Sequence, residues 1–245
     1  FFIDLANAGF GKYRGGPAKV SIVASGFFGS LSGSIFSNIA GTGSITIPTM
    51  KRLRYPPAFA GAVEAVASSA GQLTPPVMGA AAFIMAEFLN IPYTDIVVAA
   101  IGPAFLYYLA VWLGVDLYAR RTGLQPTPRS EMPEPAEFLA PDKSIPLFLP
   151  IAAMVYFLFN GYTPSFAGAG AVIILVLACV VVRPFARDGR EQGVLASWAK
   201  LARDLYEGMI EAGRALVMIA ALLACAAIVV KVLTATGAGV KVSNL

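Results

Sequence analysis

The chain has 245 residues, of which 57% are hydrophobic and 13% charged, with a net charge of +4 and a mean hydropathy of +0.71. A soluble domain carries about 25% charged residues, so the charges here are too few to cover a globule and much of the surface must face lipid, while disorder, which needs the opposite balance, is excluded. Histidine is absent, which excludes Ser–His and Cys–His nucleophile pairs, His-based proton transfer and His-ligated zinc or haem.

The first long apolar stretch, Val20 to Met50, runs 31 residues without a charge. One helix of that length would measure about 46 Å, too long for a ~30 Å hydrocarbon core, and two complete spans would need more residues. It is rich in small residues, among them Gly26, Gly29, Gly33, Gly41 and Gly43. Two helices meeting at an irregular tip fit these facts, so a re-entrant hairpin is expected over about 20–50. The charges flanking it agree. Lys12, Arg14 and Lys19 precede the stretch, and Lys51, Arg52 and Arg54 follow it. Positive loops stay cytoplasmic, and both clusters can do so only if the segment enters and returns on one side.

The next stretch, Ala58 to Leu89, is interrupted by Gly71-Gln72-Leu73-Thr74-Pro75-Pro76. Two adjacent prolines remove two backbone donors and clash with the preceding turn, so the helix is expected to break there. A broken helix in lipid is tolerated only where its freed carbonyls face protein or line a cavity. Thr94 to Tyr118 then reads as a spanning helix. Thr122 to Lys143, with prolines at 126, 128, 133, 135 and 141, reads as an aqueous connector. Ser144 to Asn160 and Phe166 to Val182 form an apolar pair. Val194 to Glu207 has the pattern of an amphipathic interfacial helix, and Met209 to Val230 is a further span. Cys179 and Cys225 lie in apolar runs and read as small buried residues, not a disulfide framework.

The expected organisation is a transport-type unit over 1–125, a Pro-rich cytoplasmic loop over 126–143, a helix pair with an interfacial helix over 144–207, and a spanning helix over 208–245. The fold class is an all-α, multi-pass membrane bundle with a re-entrant hairpin and a broken helix. The chain opens on Phe1 and ends just after an apolar run, and is read as an internal piece of a longer membrane protein.

A hairpin tip facing a broken helix is the pattern of a secondary-transporter site. Half-helix N-termini attract carboxylates, and unwound carbonyls coordinate sodium. Ser32, Ser34, Asn38 and Thr42 at the tip offer neutral oxygens suited to a hard monovalent ion, and Gln72 and Thr74 sit at the break opposite. The same small residues also serve close helix packing. Glu64, about two turns before the break, is either a functional carboxylate or merely a paired one. Glu87 reads as interfacial, and Glu211 with Arg214 as a local helix pair. Trp112, Trp198, Tyr107 and Tyr108 read as packing or interface anchors.

Several segments follow one another in a familiar order: Arg14-Gly-Gly-Pro-Ala-Lys-Val20, Ser32-Gly-Ser34, Thr42-Gly-Ser-Ile-Thr-Ile-Pro48, Phe59-Ala-Gly-Ala-Val-Glu-Ala-Val66, Gly71-Gln-Leu-Thr-Pro-Pro-Val-Met-Gly79 and Ile91-Pro-Tyr93. Together they resemble the large, DctM-like permease subunit of TRAP (tripartite ATP-independent periplasmic) transporters, in the fused-permease branch served by TAXI-type binding proteins. The dense match covers about residues 10–125. The resemblance implies one half of an inverted-repeat, elevator-type importer in a prokaryotic inner membrane, coupled to sodium and carrying an organic acid. It implies a periplasmic TAXI-type binding protein and a small permease subunit, or its fused equivalent, as partners. Carried over residue by residue, it implies a sodium site of Ser32, Gly33, Ser34, Asn38, Gln72 and Thr74, and substrate contacts from Ser32, Ser34, Asn38, Thr42, Gln72, Thr74, Pro75 and Pro76. The resemblance also implies a second half with its own hairpin, before which this chain stops. No cofactor beyond the coupling ion is expected, and the basic excess marks cytoplasmic loops, not a nucleic-acid partner. A channel with a re-entrant loop is the alternative, and an intramembrane enzyme is a more distant one, since the chain lacks a nucleophile–base pair or an Asp-rich metal motif.

Overall fold

The computed structural model describes residues 1–128, 132, 141–182 and 194–236, which fall into two units, Phe1–Val182 and Arg183–Leu245. Most of the expected Pro-rich loop, the basic residues Arg183, Arg187 and Arg190, and the segment 237–241 lie outside the described residues. Every described element is helical.

In the first unit, α1 (Phe2–Phe10) leads through Gly15, in the left-handed region at φ 71°, into α2 (Gly16–Ser32), which carries Pro17 in its first turn. Proline suits that position because its missing N–H has no helical partner there. Helix α2 has 17 residues, roughly 25 Å. Gly33 stops it at φ 58°, with its N–H donating to Gly29 O, as a left-handed C-cap does. The chain then doubles back through α3 (Ile35–Asn38), a π-helical turn (Ile39–Gly43) and α4 (Ser44–Arg52). Residues 16–52 are thus a helical hairpin. Ala18 and Met50, near its two ends, lie in one apolar cluster with Tyr55, Val63 and Val115, so both ends meet at its base.

Helix α5 (Pro57–Ser69) runs from that base toward the tip. It gives way to a 3-10 turn (Ala70–Leu73) and an irregular stretch through Gly79, before α6 (Ala80–Leu89) resumes. Helix α7 (Tyr93–Thr122) follows, ended by Gly123 in the left-handed region. It is the one helix among the described residues that is long and apolar enough to cross a membrane. Its 30 residues measure about 45 Å, and one face leaves Phe105, Leu106, Leu113 and Leu117 exposed. On a soluble protein such a stripe would be a liability; in lipid it is the expected outer surface.

Helices α8 (Pro141–Phe159) and α9 (Pro164–Val182) pair through the turn at Gly161. Leu158 and Ala167 from this pair join Met78, Ala82, Tyr93, Ile96 and Val97 in a second apolar cluster, which seats the pair against α6 and the start of α7. Helix α8 begins at Pro141, inside the stretch expected to be loop, because a proline at a helix start forfeits no hydrogen bond.

The second unit is described by one helix, α10 (Val194–Thr236). It has 43 residues, roughly 65 Å, and runs unbroken through the position expected to separate an interfacial helix from a span. The stretch between Glu207 and Met209 contains one glycine and no proline, so nothing there stops a helix. Arg214 pairs with Glu211 at 3.2 Å, and Arg203 with Glu207 at 3.3 Å, as i,i+3 and i,i+4 spacing allows. The cysteines are not core residues: Cys179 on α9 is half-buried and Cys225 on α10 is exposed, since both lie on outward faces of apolar helices.

A partly buried ion pair braces the hairpin base. Lys19 Nζ donates to Asp116 Oδ1 at 2.6 Å, and Arg120 reaches Asp116 Oδ2 at 2.8 Å. The Lys19 ammonium also lies 5.0 Å from the Trp112 ring centroid, within cation–π range. Beside it, Tyr55 donates to Gln125 O, and burial pushes its phenol well above the usual tyrosine range, so it stays a neutral donor. The first two basic clusters and the Arg120–Arg121 end of α7 therefore gather at one end of the unit.

Candidate functional site

The hairpin tip and the helix break meet backbone to backbone. Val77 N–H donates to Ser30 O at 3.1 Å, while within the break Gly79 N–H donates back to Gln72 O at 2.9 Å. Glycines make this approach possible. A Cβ on Gly29 would fall 2.5 Å from Gly71 Cα, and a Cβ on Gly33 would fall 1.8 Å from Met78 O. These two positions admit no side chain without moving the tip off the break.

The break runs along the spanning helix from its middle toward its start. Thr74 Oγ1 donates to Ala70 O at 2.7 Å and lies 3.2 Å from the hydroxyl of Tyr108, about halfway along α7. Tyr107 beside it donates to Val66 O. From the start of α7, Tyr93 donates to Pro76 O at 3.2 Å and also to Val77 O. Tyr108, expected only as an anchor, thus meets the Thr74 hydroxyl of the break, Tyr107 bonds a carbonyl of α5, and Tyr93 caps two carbonyls of the break. Carbonyls freed within lipid need such partners.

The structure brings Gly33 against the break, together with the segment that carries Gln72, Thr74, Pro75 and Pro76. Gln72 is exposed, and Thr74, Pro75 and Pro76 are half-buried. Ser32 and Ser34 stay local: Ser34 N–H donates to Ser32 Oγ, and Ser37 N–H to Ser34 Oγ, capping α3. Asn38 and Thr42 point inward and are buried. Asn38 Nδ2 donates to Ser25 O at 2.9 Å and Ser68 O at 3.5 Å, and its Oδ1 lies 3.2 Å from the Thr42 hydroxyl oxygen. Asn38 therefore fastens the return arm to α2 and α5 just beneath the Gly29–Gly71 contact. Its position between the tip and α5 comes from the π-helical turn that follows it; such turns recur at functional sites.

Glu64, left open by the sequence, stands at the centre of this arrangement. It is fully buried and accepts hydrogen bonds from five hydroxyls, those of Ser21, Ser25, Thr42, Thr46 and Ser68. A signal for it was present: Ser21/Ser25, Thr42/Thr46 and Glu64/Ser68 are three polar pairs at i,i+4, each lining one face of a helical segment.

An apolar cleft of ≈ 580 Å³ opens on the α2 side of the break, between Phe27, Thr74, Pro75, Tyr108 and Trp112. Its lining is apolar apart from Ser30, Thr74 and the Tyr108 hydroxyl, so the cleft by itself offers a carboxylate no cationic partner. Among the described residues no cluster of His, Cys, Asp or Glu could hold a divalent metal. The polar inventory at tip and break is neutral: hydroxyls, amides and carbonyls. That set suits a monovalent cation or an anion met by N–H groups.

A hairpin tip seated on a helix break beside the spanning helix defines a helical membrane transport protein, built around discontinuous helices. The chain matches, over residues 1–245, the family described as "Tripartite ATP-independent periplasmic transporter, DctM component", and it belongs to that family. It is 29% identical over 182 residues to the C4-dicarboxylate TRAP transporter large permease protein DctM of Pseudomonas aeruginosa, covering 74% of this chain and 42% of that protein. It is 28% identical over 238 residues to the protein of the same description from Vibrio cholerae, covering 95% of this chain and 52% of that one. It is also 28% identical over 182 residues to the ectoine/5-hydroxyectoine TRAP transporter large permease protein UehC of Ruegeria pomeroyi, covering 74% and 42%. The chain spans about half the length, or somewhat less, of these relatives. DctM is a family of integral membrane transporter components, not of enzymes.

Proposed function

We propose that the chain is the first half of the large permease of a sodium-coupled, binding-protein-dependent secondary transporter that imports an organic acid. The observation that carries this reading is the tip-on-break contact beside the first half of α7, where Gly33 abuts Met78 and Val77 N–H donates to Ser30 O. Elements that must be unwound in lipid cost stability unless they form a site, and such sites lie near the bilayer midplane. The neutral oxygens of Ser32, Ser34, Gln72 and Thr74, with Gly33 between the serines, are the candidate sodium ligands, and the solute lies beside them, against Pro75 and Pro76; Asn38 and Thr42, expected among the ligands, are buried and turned inward and support the tip from beneath. Relatives are named for C4-dicarboxylates and for sialic acid, which supports an acidic solute.

In this reading the permease spans a prokaryotic inner membrane several times. It works with a periplasmic binding protein of the TAXI type and a small permease subunit or its fused equivalent. The test is uptake into proteoliposomes by the full-length permease with its binding protein, across a panel of organic acids, with and without an inward sodium gradient. Saturable uptake of one acid that requires both the gradient and the binding protein is expected. Uptake indifferent to sodium would remove the coupling assignment, and unsaturable flux without the binding protein would point to a channel.

A further inference from the structure

The hydroxyl cage around Glu64 has two sides that do different things. Ser21 from α2 and Thr46 from α4 donate to Oε2, and both belong to the lower part of the hairpin. Ser25, Thr42 and Ser68 donate to Oε1. One side chain thus binds both arms of the hairpin to the first half of the broken helix. No Lys, Arg or chain terminus among the described residues pairs with it.

The Oε1 side connects onward to the site. Thr42 Oγ1 has one proton and lies within bonding distance of three acceptors: Asn38 O at 2.8 Å, Asn38 Oδ1 at 3.2 Å, and Glu64 Oε1. Ser25 Oγ stands 3.1 Å away and is able to donate to it. A threonine in a helix turns its proton toward the carbonyl four residues back unless a stronger acceptor draws it away. Glu64 Oε1 is that acceptor. It fastens Thr42 to α5, and Thr42 stands one turn beyond Asn38 on the same return arm, so this bond fixes the turn that carries the Asn38 amide under the Gly29–Gly71 contact between tip and break.

We propose that Glu64 is a positioning residue of the permease, holding the Asn38 amide and hence the hairpin tip in place through Thr42. The proposal rests on reading the tip and the break as the permease's site. It assigns the effect to hydrogen-bond geometry on the Oε1 side, so the two halves of the cage separate experimentally. Thr42→Val removes the relay, Thr42→Ser retains it, and Thr46→Val removes a donor of the same type on the side with no link to Asn38. Glu64→Gln keeps an acceptor for Thr42 and turns its NH2 toward the hydroxyl oxygens of Ser21 and Thr46, whereas Glu64→Leu keeps volume and loses the acceptor.

The readout is the 19F spectrum of a trifluoromethyl tag at position 36, on the full-length permease cleared of other cysteines. Phe36 is 72% exposed and lies between the tip glycine and Asn38. A single resonance is expected for the parent, Thr46→Val, Thr42→Ser and Glu64→Gln. Thr42→Val and Glu64→Leu should show a second resonance holding roughly a tenth or more of the intensity, as a minor conformer does when its gap shrinks. Thr46→Val should lower the melting temperature about as much as Thr42→Val while leaving the spectrum alone. A single unshifted resonance in Thr42→Val, or a second resonance of equal size in Thr46→Val, would overturn the proposal even if Glu64→Leu failed to fold. The measurement needs no transport, so its failure is separate from that of the uptake experiment.

Discussion

At Gly29 and Gly33 a single methyl group decides whether tip and break meet. Gly33 is in the left-handed region, where a Cβ is strained, and the added carbon would run into the Met78 carbonyl. Gly29 has ordinary helical geometry, but its Cβ would meet the backbone of Gly71, which has no flexible end to move. Gly33→Ala and Gly29→Ala should each cost about 1–3 kcal/mol of stability, the range for overpacking and local strain. Gly61→Ala on α5 has open space around its Cβ and should be neutral or gain about 0.5–1 kcal/mol. Melting of the three variants in detergent checks both statements, and equal losses at positions 61 and 33 would contradict them. At this scale the sequence was partly legible. It marked the tip as rich in small and polar residues, but the direction in which each hydroxyl points depends on packing. Ser34 caps its own helix, while Ser21, Ser25, Thr42 and Thr46 turn toward one carboxyl group. The i,i+4 spacing of those hydroxyls held that information, yet no count of serines reveals that three segments bring their faces together.

Among the elements, the hairpin and the break were the most legible, and for simple reasons. Thirty-one uncharged residues between two basic clusters require a turn, and the chain turns at Gly33. Two prolines after Thr74 forbid a continuous helix, and α5 ends at Ser69, one short turn before them. Less legible was the brace at the hairpin base. Lys19 was read as one more cytoplasmic charge, but it is 4% exposed and locked between Asp116 and Trp112, residues nearly a hundred positions away in the chain. Asp116→Asn removes the partner and leaves the ammonium buried, so it should lower the melting temperature clearly. The double variant Lys19→Met with Asp116→Asn should recover part of the loss, because removing one partner of a buried pair is worse than removing both. A double variant less stable than either single variant would show that the pair carries more than this brace. The unbroken course of α10 was also hidden, because an amphipathic pattern followed by an apolar one gives no backbone reason to stop or to continue.

At the scale of the fold, polarity along one axis organises the first unit. Lys19, the Met50–Tyr55 corner and the Arg120–Arg121 end of α7 gather at the hairpin base, while tip and break lie along the other half of α7, between Tyr108 and Tyr93. On the function proposed above, with basic residues held in the cytoplasm, the base lies inside and the site within the bilayer, reached by a hairpin that does not cross. The central claim is therefore that residues 16–52 enter and leave the membrane on one side. Single cysteines at Arg14 and Lys51, both exposed, test it in the full-length permease after its native cysteines have been replaced. A membrane-impermeant thiol reagent should label both positions in inside-out vesicles and neither in intact spheroplasts. Labelling of one position from each side would make the segment a crossing helix, and would contradict both the hairpin and the site built on it.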